Sequence, residues 1–138
     1  MENEKPNCFL DTNILIYAYS NTEIIKQEKT LMLLEQEPIC LSTLVINEFL
    51  WVMNRKFHVH WDFLKHIIEN LFFVYNVAVV SELTIKKAID IASHYRFPYW
   101  DSLMLSSALE LNCEILYTED LQHGQLIEER LRIVNPFY

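Results

Sequence analysis

Glycine is almost missing from this chain: Gly124 is the single one among 138 residues, beside four prolines. A sandwich or barrel of many tight turns needs more of both, so the scarcity argues against a turn-rich all-β fold and for long helices. Cationic side chains are also scarce. Lys and Arg number 11 against 19 Asp and Glu, for a net charge of −8. Duplex affinity is mostly phosphate neutralisation by Lys and Arg, which excludes a histone-like or DNA-coating role. It does not exclude an enzyme that meets phosphates through a bound cation. No long apolar run occurs. The longest, Leu71 to Val80, is broken by Asn76, well short of the roughly 20 residues a membrane helix needs. No Cys-x-x-Cys pair occurs either. Cys8, Cys40 and Cys113 lie beside apolar, strand-like runs, and the expectation is reduced core thiols. Met1 to Pro6 is polar and charged, unlike a secretory signal. A cytoplasmic protein without membrane association is expected.

What is present is a core: 51% of residues are hydrophobic and 22% charged, a composition that excludes disorder. The length suits one domain, residues 1–138. Short apolar runs predict buried strands at Cys8–Asp11, Ile39–Leu41, Val77–Val80, Ile115–Tyr117 and Arg132–Val134. Longer periodic segments between them predict helices. One is capped by Asn21-Thr22 and runs to Gln36, with Ile24, Ile25, Leu31 and Leu34 inward. Others run from Thr43 to Lys56, from Trp61 to Phe72, from the Ser81 cap to Tyr95, and from Pro98 to Leu111. Asn112 is expected to end the last one in a left-handed conformation. Strands alternating with helices imply a parallel sheet covered on both faces, whose ligands bind beyond the carboxyl ends of its strands.

Four acids fall near that edge. Asp11 ends the first strand in "CFLDTNILIY", and Asp120 follows the Ile115–Tyr117 strand in "EILYTEDLQHG". Glu48 sits in "LSTLVINEFLWVM" among apolar neighbours, where a buried carboxylate is costly unless paired. Asp101 opens a helix in "FPYWDSLMLSSAL". Each has an ordinary explanation alone: a cap, a dipole partner, a turn residue or a paired surface charge. Together they would repel one another, and a hard divalent cation relieves that repulsion. With no His/Cys ligand set in competition, Mg²⁺ or Mn²⁺ is favoured over zinc, and such sites serve phosphate-ester hydrolysis.

In order along the chain, "LDTNILIY", "STLVINEF" and "YWDSLMLSSALELNCEILYTEDLQHG" resemble the motifs of the PIN domain family, and within it the VapC-type toxin ribonucleases. The resemblance covers essentially the whole chain. It implies a three-layer α/β/α sandwich around a mainly parallel sheet. It also implies a Mg²⁺- or Mn²⁺-dependent endoribonuclease that hydrolyses RNA phosphodiesters with activated water. As catalytic and metal-holding residues it implies Asp11, Glu48, Asp101 and Asp120. Asn13, Thr118 and Glu119 follow as substrate-binding or supporting groups. Glu119 competes with Asp120 for the fourth ligand position, and Asp120 is favoured because it keeps the Thr-x-Asp spacing. The implied partners are an RNA substrate, a cognate antitoxin and a second copy of the chain.

Two rivals stay open: a non-catalytic PIN-like scaffold that binds RNA or protein, and an RNA-processing PIN nuclease without an antitoxin. A haloacid-dehalogenase-type phosphatase would need Asp where Asn13 stands. The histidines His58, His60, His66, His94 and His123 show no metal spacing beside a Glu and read as surface or packing groups. Trp51, Phe57, Trp61 and Trp100 read as core, or as a groove for an antitoxin's apolar segment.

Overall fold

Cys8, Phe9 and Leu10 are all fully buried. Successive strand residues point to opposite faces, so a strand buried at every position is covered on both sides. In the computed structural model, which describes residues 4–138, these three form β1, and β2 (Ile39–Ser42) is buried throughout as well. The remaining elements are α1 (Thr12–Tyr19), α2 (Ile24–Gln36), α3 (Thr43–Arg55), α4 (Trp61–Val74), β3 (Asn76–Ala78), α5 (Glu82–Tyr95), α6 (Tyr99–Glu110), β4 (Ile115–Tyr117), β5 (Leu126–Ile127) and β6 (Leu131–Val134). The strand order is β3-β2-β1-β4-β6-β5. All pairings are parallel except β5 with β6. Helices flank this mainly parallel sheet in an α/β/α arrangement.

Local sequence accounts for most boundaries. Ser42 caps α3 by accepting from the Val45 N–H at 3.4 Å. Ser81 and Thr84 form a reciprocal capping box at the start of α5. Asn112 takes φ 55° just past α6, the left-handed ending asparagine tolerates. Helix α6 is buried from Ser102 to Leu109. Its serines are satisfied inside that environment: Ser102 and Ser107 donate to carbonyls one turn back, and Ser106 donates to the Thr84 carbonyl at 2.8 Å. Cys8, Cys40 and Cys113 are buried free thiols.

Four expectations need correction. Helix α2 starts at Ile24 with Glu23 in the cap position, not at an Asn21-Thr22 cap. Its expected inner face is largely outside: Ile24, Ile25 and Leu31 are exposed, and only Leu34 packs on the core. The cause is placement. Helix α2 lies mainly against α1, so a narrow seam is buried where a wide stripe was expected. The third strand begins one residue early, at Asn76, and ends at Ala78. The short antiparallel β5 has no periodic signal and was absent from the expected set.

Candidate functional site

The strand order reverses direction at β1. The chain moves outward from it to β2 and β3, then returns to place β4 on its other side. The crevice at such a switch point, beyond the carboxyl ends of the two strands, is where open α/β sheets bind ligands. Register sets what stands there. Leu10 pairs with Tyr117, and the Asp11 N–H donates to the Tyr117 carbonyl at 3.0 Å. Asp11 therefore faces Thr118 across the strand ends, and the Thr118 hydroxyl donates to Asp11 Oδ2 at 2.7 Å. Asp11 Oδ1 accepts from the Thr12 N–H at 2.6 Å, so the same carboxylate caps α1. One side chain thus caps a helix and faces the crevice at the strand ends.

Three further acids converge on this point. Asp120 directs its Oδ2 toward Asn13 Nδ2 at 3.4 Å, and its own N–H donates to Thr118 Oγ1 at 3.1 Å. Glu48 reaches in from α3, and Thr12 Oγ1 donates to its Oε1 at 2.8 Å. Asp101 stands in the first turn of α6. Their mutual proximity registers in the electrostatics. Burial pushes the Asp11 carboxyl up to about 6, opposed by the Thr118 and Thr12 hydrogen bonds and reinforced by the charges of Asp120 and Glu48. Asp101 is likewise raised, by burial first and by Asp120 second.

Glu48 departs from expectation in one respect. It is not buried among the apolar residues that surround it in sequence, but stands on the exposed face of α3. The helical turn sends Val45, Ile46 and Phe49 to the core and leaves Asn47 and Glu48 outside. Glu119 and Asp120 diverge. Lys26 Nζ lies 2.9 Å from Glu119 Oε2, and the Tyr17 hydroxyl donates to the other Glu119 oxygen. These two partners hold the Glu119 carboxyl below its usual range against the opposing effect of burial. Lys26 also sits over the rings of Tyr17 and Phe137, 5.1 and 5.2 Å from their centroids. Thr12, Tyr17 and Lys26 escaped the sequence reasoning. Thr12 carried a local signal, lying between two singled-out residues, whereas Lys26 is brought to Glu119 from a distant helix.

The donor set fits a hard divalent cation: carboxylate oxygens only, mutually repelling, with no thiol or imidazole among them. As placed, no three His, Cys, Asp or Glu side chains among the described residues stand close enough together to hold an ion.

The PIN domain family matches residues 8–127, most of the sequence, with all four acids inside the match. The chain belongs to the PIN domain family. No curated protein matches it by sequence. Among solved structures, this PIN domain is similar to a toxin-antitoxin complex from Klebsiella pneumoniae, with 20% identity over 94% of this chain and 97% of that one, at a TM-score of 0.69. It is similar to VapC20 of Mycobacterium tuberculosis, described as a Sarcin-Ricin loop cleaving toxin, with 16% identity over 82% and 89% at 0.68. FitAcB from Neisseria gonorrhoeae shares 14% identity over 95% and 99% at 0.71. At these identities the likeness is one of fold.

Proposed function

We propose that the chain is a single-domain endoribonuclease, residues 1–138, that uses Mg²⁺ or Mn²⁺ and acts as the toxin of a toxin–antitoxin pair. The observation that supports this best is Asp11 at the β1–β4 switch point of a PIN domain, its carboxyl raised to about 6 with the Asp120 and Glu48 charges beside it. Asp11, Asp101 and Asp120 would hold the cation, with Glu48 completing the set. The bound ion supplies Lewis acidity and charge neutralisation at the scissile phosphate. Glu48, steadied by the Thr12 hydroxyl, accepts the proton of the attacking water. The 3′-oxygen leaves and takes a proton from solvent water, giving 5′-phosphate and 3′-hydroxyl ends. Thr118 fixes Asp11, and Asn13 orients Asp120 and lies open to the substrate.

A toxin-antitoxin complex with this fold supports an antitoxin partner here, and a second copy of the chain is a further proposed partner. No helix is long and apolar enough to cross a membrane among the described residues, which agrees with action in the cytoplasm. The competing scaffold reading rests on one observation, that no three acids stand at ligating distance as placed. The test is cleavage of a mixed cellular RNA pool with Mg²⁺ or Mn²⁺ by wild type, Asp11→Ala and Asp101→Ala. Cutting by wild type alone, leaving 5′-phosphate ends and abolished by EDTA, is expected. Equal cutting by the variants, or 2′,3′-cyclic phosphate ends, overturns the nuclease reading at this site.

A further inference from the structure

Two depressions meet along α3, and each is bounded by a member of the acid network. One, of about 570 Å³, is walled by Leu44, Val52, Trp51 and Trp100, with Glu48 and Asn47 at its polar side. The other, of about 270 Å³, holds Asn13, Tyr17, Ser20, Thr22 and Lys56, and shares Val52 with the first. Glu48 belongs to the first and is bonded to Thr12; Asn13 belongs to the second and is bonded to Asp120. Both depressions therefore border the acid network, and they adjoin one another at Val52.

The chemistry of the two places differs. Trp51 and Trp100 are 61% and 64% exposed, unusual for indoles that line a depression. Trp100 immediately precedes Asp101, and Trp51 lies one turn beyond Glu48 on the same helical face. Arg55, one turn further, sets its guanidinium 4.6 Å from the Trp51 ring centroid. Among the described residues, Arg55 and Lys56 form no ion pair, a state they share with most of the chain's cations. One stripe of α3 thus runs from acid to aromatic to uncompensated cation. The second depression offers hydroxyls, the Asn13 amide and Lys56, groups suited to sugar and phosphate, with the Glu23 carboxylate also on its wall.

We infer that these are subsites for nucleotides next to the scissile phosphate: a base stacks on Trp51 and Trp100, and the adjoining backbone rests against Lys56 and Asn13. The inference rests on the nuclease reading and adds which residues of this chain grip the strand beside the acids. Stacking platforms beside cations are how proteins grip single strands with little sequence preference. Continuity with the acids, Trp100 directly before Asp101 and Trp51 one turn from Glu48, favours the substrate strand over an apolar protein segment as the occupant.

The test uses the full chain in Mg²⁺ with a phosphorothioate-linked single-stranded RNA decamer of mixed sequence, and the same backbone without bases. Tryptophan emission and Kd are read together. RNA is expected to quench emission and the abasic strand to leave it, with the quench preserved in Trp61→Phe, whose indole lies on α4. Trp51→Leu and Trp100→Leu, exposed positions whose folding is checked by circular dichroism, are expected to weaken binding roughly tenfold each. Lys56→Ala is expected to flatten the slope of log K against log salt by about 0.7. Equal quenching by the abasic strand overturns the proposal. So does wild-type Kd in both leucine variants, an outcome that returns the groove to a protein partner. Failure of the nuclease reading registers separately, as base-dependent binding with no cleavage of ordinary RNA.

Discussion

Replacing Asp11 with Asn should make this protein more stable at neutral pH while abolishing its activity. Burial and the neighbouring charges move the carboxyl from 3.8 to about 6. At about 1.4 kcal/mol per unit, keeping it ionised costs the folded state about 3 kcal/mol above pH 6. The asparagine keeps one acceptor for the Thr12 N–H but cannot also accept from Thr118, a loss of about 1 kcal/mol. The net gain at pH 7.5 is about 1–2 kcal/mol, a rise in Tm of roughly 3–7 °C for a chain of this size. The pH dependence carries the proof. Between pH 4 and 6 the unfolded chain gives up this proton before the folded one does. Raising pH through that window therefore lowers wild-type stability, which then levels off above 6. The variant lacks the titrating group, so it starts slightly less stable than wild type near pH 4, by the lost hydrogen bond, and overtakes it as the pH rises to 7. Urea unfolding of both proteins at several pH values measures it. A variant less stable than wild type at pH 7.5, or a difference that ignores pH, refutes the reasoning.

The same carboxyl predicts metal behaviour: proton and cation compete at Asp11, so Mn²⁺ affinity by calorimetry should fall about tenfold from pH 7 to pH 5, where about nine-tenths of the carboxyl is protonated. Asp120→Asn should lower that affinity at least tenfold at pH 7.5, whereas Glu119→Gln, whose carboxylate is turned to Lys26, should leave it within about threefold; the reverse ranking would make Glu119 the fourth ligand. Lys26→Met should cost about 1 kcal/mol, and much less in a Glu119→Gln background, because the partly exposed pair is the interaction removed; a double-mutant cycle by urea unfolding reads the coupling. Arg96 ends α5 exposed at φ 61°, so Arg96→Gly should stabilise by about 1 kcal/mol in thermal unfolding, and Arg96→Val should destabilise.

The strands that place the site were legible because each is a short apolar run stopped by a polar residue, and burial on both faces leaves no other reading for Cys8–Leu10. The place of Asp11 was legible because it directly follows a core strand, and that of Asp120 because it lies three positions past one. Glu48's place on α3 was legible, but its surroundings were misjudged, since flanking residues in sequence point around the helix and not toward the side chain. The apolar faces of α2 were misassigned because periodicity reports that a helix has a face, not which neighbour covers it. Ile24 and Ile25 repeat correctly and still lie outside. Lys26 was invisible because its partner lies 93 positions away, and a long-range ion pair leaves no trace in local pattern.

The contrast between Glu119 and Asp120 argues for function independently of any family. Adjacent carboxylates on one loop receive opposite treatment. Glu119 is given a lysine, a tyrosine hydroxyl and an aromatic surround, the provisions of a charge kept for structure. Asp120 is given an amide at 3.4 Å and no cation. Asp11, Glu48 and Asp101 are treated alike: among the described residues none of the four forms an ion pair. A fold able to bring Lys26 to position 119 could have neutralised a neighbour by the same means. Leaving Asp11 and Asp101 with raised carboxyls, and Asp11 with hydroxyl and amide donors alone, sacrifices stability that a single lysine would return. The proposed cation at the switch point between β1 and β4 would offset that cost by neutralising the acids itself.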